Sequence, residues 1–276
     1  MKTILIPIDF SDSARNAATA TSSLARLTHS NIHLLHVVWA PLDWDIMSEE
    51  TKQKFSMVES NVKAAETKLD QLSKSEIFDG LKVTYEVKTG VTHECIVDVA
   101  SKQKAEFIIM GAHGAGETDA LFVGSTAQRV IRLASCGVIS LKKNQTMIPI
   151  KKIVFVSDFV ENISKSLNKI IGFASEVAAE LDLVYINTPS HFNDTASIEK
   201  MMNSVIPKQP PIKISTTIYN DFDRDQGILN ITEKIKPQLI AITTHARKSR
   251  PLYQISVTDT LVFHSKAPIL SYNLDN

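Results

Sequence analysis

The chain of 276 residues is poor in cysteine, with only Cys95 and Cys136, and these stand in neither a CxxC pair nor a metal-type spacing. That excludes a disulfide scaffold and a cysteine-based zinc site, and it fits a reducing compartment. There is no charge of one sign to spare either: 30 basic residues balance 30 acidic ones. Neither nucleic acid nor an anionic membrane is therefore an expected partner of the chain as a whole. No apolar run is long enough to span a bilayer, and the first one, from Ile4 to Ile8, is interrupted by Pro7 and ended by Asp9. The expectation is a soluble, cytoplasmic protein. Catalytic signatures are missing as well. The chain has no GxxxxGK loop, no serine–histidine–acid arrangement and no paired carboxylates near its glycine-rich loop, so no catalytic residue is assigned. His29, His33 and His36 lack a carboxylate or cysteine at ligand spacing. They read as ordinary histidines, with no metal ligand assigned.

What is present is an alternation of strands and helices. Ile4 to Ile8 is apolar enough to be buried on both faces, and Ser11 can cap a helix that carries Ala14, Ala17, Ala18, Leu24 and Ala25 at helical spacing. A second strand is expected over Ile32–Val38, then a long helix from Ser48 with Phe55, Val58, Val62, Ala65, Leu69 and Leu72 on one stripe. A strand over Leu81–Val87, a helix capped by Thr92, a strand at Phe107–Met110, a helix over Ser125–Leu133 and a strand at Gly137–Leu141 complete a βαβαβαβαβ order. Connections of this length call for an open, doubly wound parallel α/β sheet with a ligand above the strand carboxyl ends.

The pattern then begins again. Lys2–Phe10 is echoed by Lys151–Phe159, Ile32–Val37 by Leu181–Ile186, Phe107–Met110 by Leu239–Ile242, and Gly137–Ser140 by Ala267–Ser271. A duplicated domain explains this, with one copy over residues 1–144, a short linker, and a second over 150–276. The last strands of the two copies, Val138–Leu141 and Ile269–Tyr272, are exposed apolar edges unless they pair, and antiparallel pairing of the two would make a pseudo-dimer within one chain.

The most informative stretch is Gly111-Ala112-His113-Gly114, nine residues, then Gly124-Ser125-Thr126, directly after the Phe107–Met110 strand. Bare glycine backbone lets a ligand come close, and a helix opening at Ser125 offers free N–H groups and a positive dipole end to phosphate. The glycines also suit turns and helix packing, and Ser125 and Thr126 suit ordinary capping. This stretch resembles the nucleotide signature of the ATP-binding branch of the universal stress protein family. Pro7-Ile8-Asp9-Phe10-Ser11, Leu34-Leu35-His36-Val37 and Gly90-Val91-Thr92-His93-Glu94 agree in order with the family's other landmarks.

The resemblance implies two doubly wound, five-stranded parallel sheets of strand order 3-2-1-4-5, of the adenine nucleotide alpha hydrolase-like kind. It also implies ATP as ligand, with or without Mg or Mn. Pro7, Ile8, Asp9 and Val37 would line the base and ribose. Met110 and Gly111 would pass the α-phosphate, while Gly114, Gly124, Ser125 and Thr126 would hold the phosphates. The second copy has Thr243, Ala246 and Ser256-Val257 where the glycine motif stood, so its pocket is expected to be closed or reshaped. Asp158 and His245 persist there, which suggests structural duties for Asp9 and His113 as well. The leading expectation is an ATP-binding regulatory or stress-response module that carries one nucleotide. Slow ATP hydrolysis, an adenylyl-transferring enzyme or a non-binding interaction protein stand as alternatives. Homodimerisation of whole chains is left open.

Overall fold

The computed structural model describes residues 2–40, 44–53, 55–112, 124–159, 163–244 and 257–274. Its first half runs β1 (Thr3–Pro7), α1 (Asp12–Thr28), β2 (Asn31–Trp39), α2 (Glu49–Gln53), α3 (Ser56–Ser73), β3 (Val83–Gly90), α4 (Thr92–Lys102), β4 (Phe107–Gly111), α5 (Ser125–Leu133) and β5 (Gly137–Leu141). The second runs β6 (Lys152–Val156), α6 (Ser164–Glu176), β7 (Glu180–Asn187), α7 (Thr195–Val205), β8 (Ile214–Asn220), α8 (Arg224–Ile235), β9 (Leu239–Thr244), α9 (Val257–His264) and β10 (Ile269–Asn273).

Each half has the strand order 3-2-1-4-5, all parallel, as expected. The two sheets are not separate, however. β5 and β10 pair antiparallel, Ser140 opposite Ile269 and Val138 opposite Ser271, so one ten-stranded sheet crosses the molecule in the order β3-β2-β1-β4-β5-β10-β9-β6-β7-β8. Both strands are buried along their whole length, which removes two apolar edges at once.

The strand interiors are apolar on both faces because helices cover both. One core contains Ala17, Leu24 and Leu69 of α1 and α3 together with Ile170, Phe173, Ile198 and Met202 of α6 and α7. The opposite core gathers Ile96, Val99, Val130 and Ile131 of α4 and α5 with Ile228, Ile231 and Leu261 of α8 and α9. Both cores run through both halves.

Duplication is written into the backbone. Left-handed residues recur in pairs, Phe10 with Phe159, His29 with Ala178, and Lys104 with Lys236. None of the six is glycine, so each copy holds the same uncommon conformation against a steric cost. Loop hydrogen bonds recur in the same way: Ile8 N to Leu35 O (2.8 Å) matches Ser157 N to Val184 O (3.2 Å), and Ser30 N to Ala25 O (3.0 Å) matches Ala179 N to Ala174 O (2.8 Å).

Three local expectations are corrected. The long helix expected from Ser48 is two helices, α2 and α3, with Phe55 at the junction packed beside Trp44 at 6.2 Å between ring centroids. Thr92 does not cap α4 but is its first residue, after Val91, which cannot cap. The strand placed at Leu81–Val87 is β3 at Val83–Gly90 and ends on Gly90 at φ 138°, a region that suits glycine.

Candidate functional site

The carboxyl ends of β1, β2 and β4 and the amino ends of α4 and α5 enclose a cleft of about 290 Å³. It is lined by Pro7, Ile8, Asp9, Val37, Met110, Gly111, Gly124, Ser125 and Thr126, which are nine of the ten residues singled out in the sequence. The tenth, Gly114, and His113 lie outside the described residues, as do positions 245, 246 and 256 of the second copy.

Each wall has a local cause. β1 ends at Pro7, and the chain continues through Ile8, whose N–H is still bonded to Leu35 O at 2.8 Å. Phe10 then takes a left-handed turn, while Asp9 Oδ1 accepts from Ser11 N at 3.0 Å and Ser11 Oγ accepts from Ala14 N at 3.1 Å. The Asp9 carboxylate is therefore engaged in shaping the turn into α1. On the far side Ala112 N donates to Leu141 O at 2.7 Å and Gly124 N to Ala112 O at 3.0 Å, which ties the foot of α5 to the top of β4. α5 opens after Gly124 with no side-chain cap, and α4 opens after Val91 with none. Two helix amino ends thus meet one cleft without a side chain of their own to occupy them.

The sequence reading missed His36, Leu35, Ala14, Thr92, Ile96, Ala112 and Ala127, all of which line the cleft. For His36 a signal existed in its place on β2, directly before Val37. Its Nδ1 donates to Ile8 O at 2.6 Å, and its ring lies 4.8 Å from that of Phe10, so it locks β2 to the turn that carries Asp9. His33, three residues earlier and so on the other face of β2, is bonded to Thr84 (2.8 Å) and Glu86 (2.9 Å). Among the described residues no group of His, Cys, Asp and Glu could hold a metal ion.

His93, beside Thr92 on α4, is held below the ordinary histidine range by burial and then by the positive charge of Arg129 on α5. Neither cysteine is in a disulfide, and both lie away from the cleft lining. Burial pushes the Cys136 thiol up to about 11, which leaves it unreactive at neutral pH.

The second half repeats the frame with larger or charged side chains at several of the equivalent positions. In the place of Ala14 stands Ile163, 1% exposed; His36 becomes Tyr185, bonded through its hydroxyl to Asn193 Nδ2 (2.9 Å); Val37 becomes Ile186. Thr92 is replaced by Arg224, whose guanidinium lies 3.9 Å from Asp158, the counterpart of Asp9. The amino end of α8 is occupied by its own carboxylate: Asp223 stands where Val91 stood and accepts from Gln226 N at 2.9 Å. Thr243 and Thr244 replace Gly111 and Ala112, and the buried Thr244 hydroxyl has no hydrogen-bond partner among the described residues. Loss of glycine, the change visible in sequence, is thus one of several that point the same way.

No helix among the described residues is long and apolar enough to cross a membrane. Comparison with known proteins agrees with the architecture. A universal stress protein from Archaeoglobus fulgidus superposes with a TM-score of 0.77 over 98% of both chains at 16% identity. The protein PA1789 of Pseudomonas aeruginosa does so with a TM-score of 0.62 over 99% of this chain and 92% of that one, at 17% identity. At these identities the likeness speaks for the fold alone. In sequence, the universal stress protein MJ0531 of Methanocaldococcus jannaschii is 30% identical over 150 residues, covering 51% of this chain and 82% of that protein. The family model described as "Universal stress protein family" matches residues 1–142, more than half of the chain. With its doubled 3-2-1-4-5 sheet, the chain belongs to the universal stress protein family.

Proposed function

We propose that the first half binds one molecule of ATP, with or without a divalent cation, and that the protein acts as a nucleotide-responsive regulatory module in a stress response. The observation that carries this reading is the gathering of the signature residues on one cleft whose two helix amino ends have no side-chain caps. Its apolar end, made by Ile8, Leu35, Val37, Ile96 and Met110, suits a base. Its polar end, made by Gly124, Ser125 and Thr126, offers backbone N–H groups and two hydroxyls to phosphate. A volume of about 290 Å³ is at the lower limit for a small-molecule site, so a nucleoside fits inside and the outer phosphates lie towards the mouth.

The lining offers binding groups rather than a general base. Asp9 is engaged with Ser11 N, and His36 Nδ1 with Ile8 O. Calorimetric titration with ATP tests the reading: the intact chain should show saturable binding and a Gly114→Val, Gly124→Val double variant should show none. No saturable binding by the parent would refute it, and rapid turnover with a cosubstrate would favour an enzyme on the same scaffold.

A further inference from the structure

Helix α5 has its amino end in the cleft and its carboxyl end in the grip of the other half. Asn273, at the end of β10, donates from Nδ2 to Arg132 O at 2.7 Å. The same arrangement exists in reverse, since Lys142, just past β5, donates from Nζ to Phe263 O in the last turn of α9 at 2.7 Å. These two bonds occupy equivalent places in the two copies, so each half closes the last turn of the other's cleft helix. Gln145 adds a bond from Nε2 to Ser265 O (3.0 Å), and burial pulls the Lys142 amine below the ordinary lysine range.

One contact has no counterpart. Arg132 Nη2 donates to Asp259 Oδ2 in the first turn of α9 at 3.1 Å, whereas the residue at the Arg132 position in the second copy is Phe263. Asp259 is only 7% exposed, so the attraction is little screened by water. α5 is nine residues long, a rod of about 13 Å, and its first turn supplies Ser125, Thr126 and Ala127 to the cleft. α5 is thus one rigid element that joins the cleft to this contact with the second half.

We propose that the second half sets the affinity of the first-half cleft for phosphate, with Asp259 acting as a positioning residue that holds α5 through Arg132. On this account the second copy has a role although it lacks the glycine motif, because it anchors the helix whose amino end receives the phosphates. The inference rests on the nucleotide reading given above and extends it to how that site is controlled.

The test is titration of the intact chain with ATP and, in parallel, with adenosine, for the parent, Asp259→Asn, Arg132→Gln, their double variant and Arg132→Lys. Asp259→Asn and Arg132→Gln are each expected to weaken ATP about fivefold, at the low end of couplings between sites. The double variant should be no weaker than either single one, as for two changes to a single interaction. Arg132→Lys keeps the charge and should retain most of the affinity. Adenosine, which makes no use of the α5 amino end, should bind all five proteins alike. Equal losses of ATP and adenosine, or unchanged ATP affinity alongside a lowered melting temperature, would overturn the proposal and leave the pair a purely structural contact. A parent that binds neither ligand would overturn the nucleotide reading and this proposal together. If Asp259→Asn fails to fold by circular dichroism, the two Arg132 variants decide, since a loss in Arg132→Gln that Arg132→Lys restores supports the proposal and equal affinities contradict it.

Discussion

Ala14→Ile copies into the first cleft the residue that stands at the same place in the second half. Ala14 lines the cleft and is 3% exposed, and its counterpart Ile163 is 1% exposed in an otherwise similar frame. Isoleucine brings three more carbons. At about 0.8 kcal/mol for each buried methylene, a side chain that settles into the cleft gains about 2.4 kcal/mol. A nucleotide needing that space has to displace it, which raises the dissociation constant about fiftyfold. Strain in fitting the branch against α1 costs about 1–3 kcal/mol, so the net change in stability is near zero or slightly favourable. The variant should therefore lose ATP affinity without losing stability, a combination that general damage to the fold does not produce. Isothermal titration with ATP and thermal melting by circular dichroism read the two quantities. Binding within threefold of the parent would refute the argument that this cleft is the nucleotide site and that side-chain bulk closes its twin.

Glycine positions give opposite signs. Gly172, exposed within α6, has nothing within 4 Å of where a Cβ would stand, so Gly172→Ala should stabilise by about 1 kcal/mol, read as a rise in melting temperature of about 2–4 °C. Gly137 at the head of β5 would place a Cβ 2.8 Å from Phe107 Cδ1 and 3.0 Å from Tyr272 Cε1, so Gly137→Ala should destabilise by about 1–3 kcal/mol in denaturant titration. The pKa of His93 is lowered in the folded state by burial and by Arg129, so below its ordinary value of 6.5 the unfolded chain takes up a proton that the native one resists. Stability should fall as pH drops through 6.5, and His93→Gln should flatten that part of the pH profile of melting temperature.

Much of this was legible in the sequence because the relevant signals are local. The apolar runs at Ile4–Ile8 and Phe107–Met110 are strands since nothing polar interrupts them, and the spacing from Gly111 to Gly124 names a loop and a helix start directly. The apolar edges that demanded a partner, Val138–Leu141 and Ile269–Tyr272, are the two strands that pair. What escaped depends on contacts between distant residues. Ala14 and His36 reach the cleft only because α1 packs on the sheet and β2 pairs parallel beside β1, and nothing in their neighbours announces that. The break between α2 and α3 was hidden because the apolar stripe stays in phase across it. Thr92 looked like a cap on propensity alone, yet the chain places it inside the helix and leaves the amino end open. In the second half, the bulk of Ile163 and Tyr185 and the Arg224–Asp158 approach matter only through their places in the folded frame, which no local signal announces.

The nucleotide reading makes the two halves an asymmetric pair, one competent cleft and a twin without the glycine motif. Isothermal titration of the intact chain with ATP measures it directly through stoichiometry. The account predicts one site per chain, abolished by Gly114→Val with Gly124→Val; two sites per chain, or one that survives those substitutions, would contradict it.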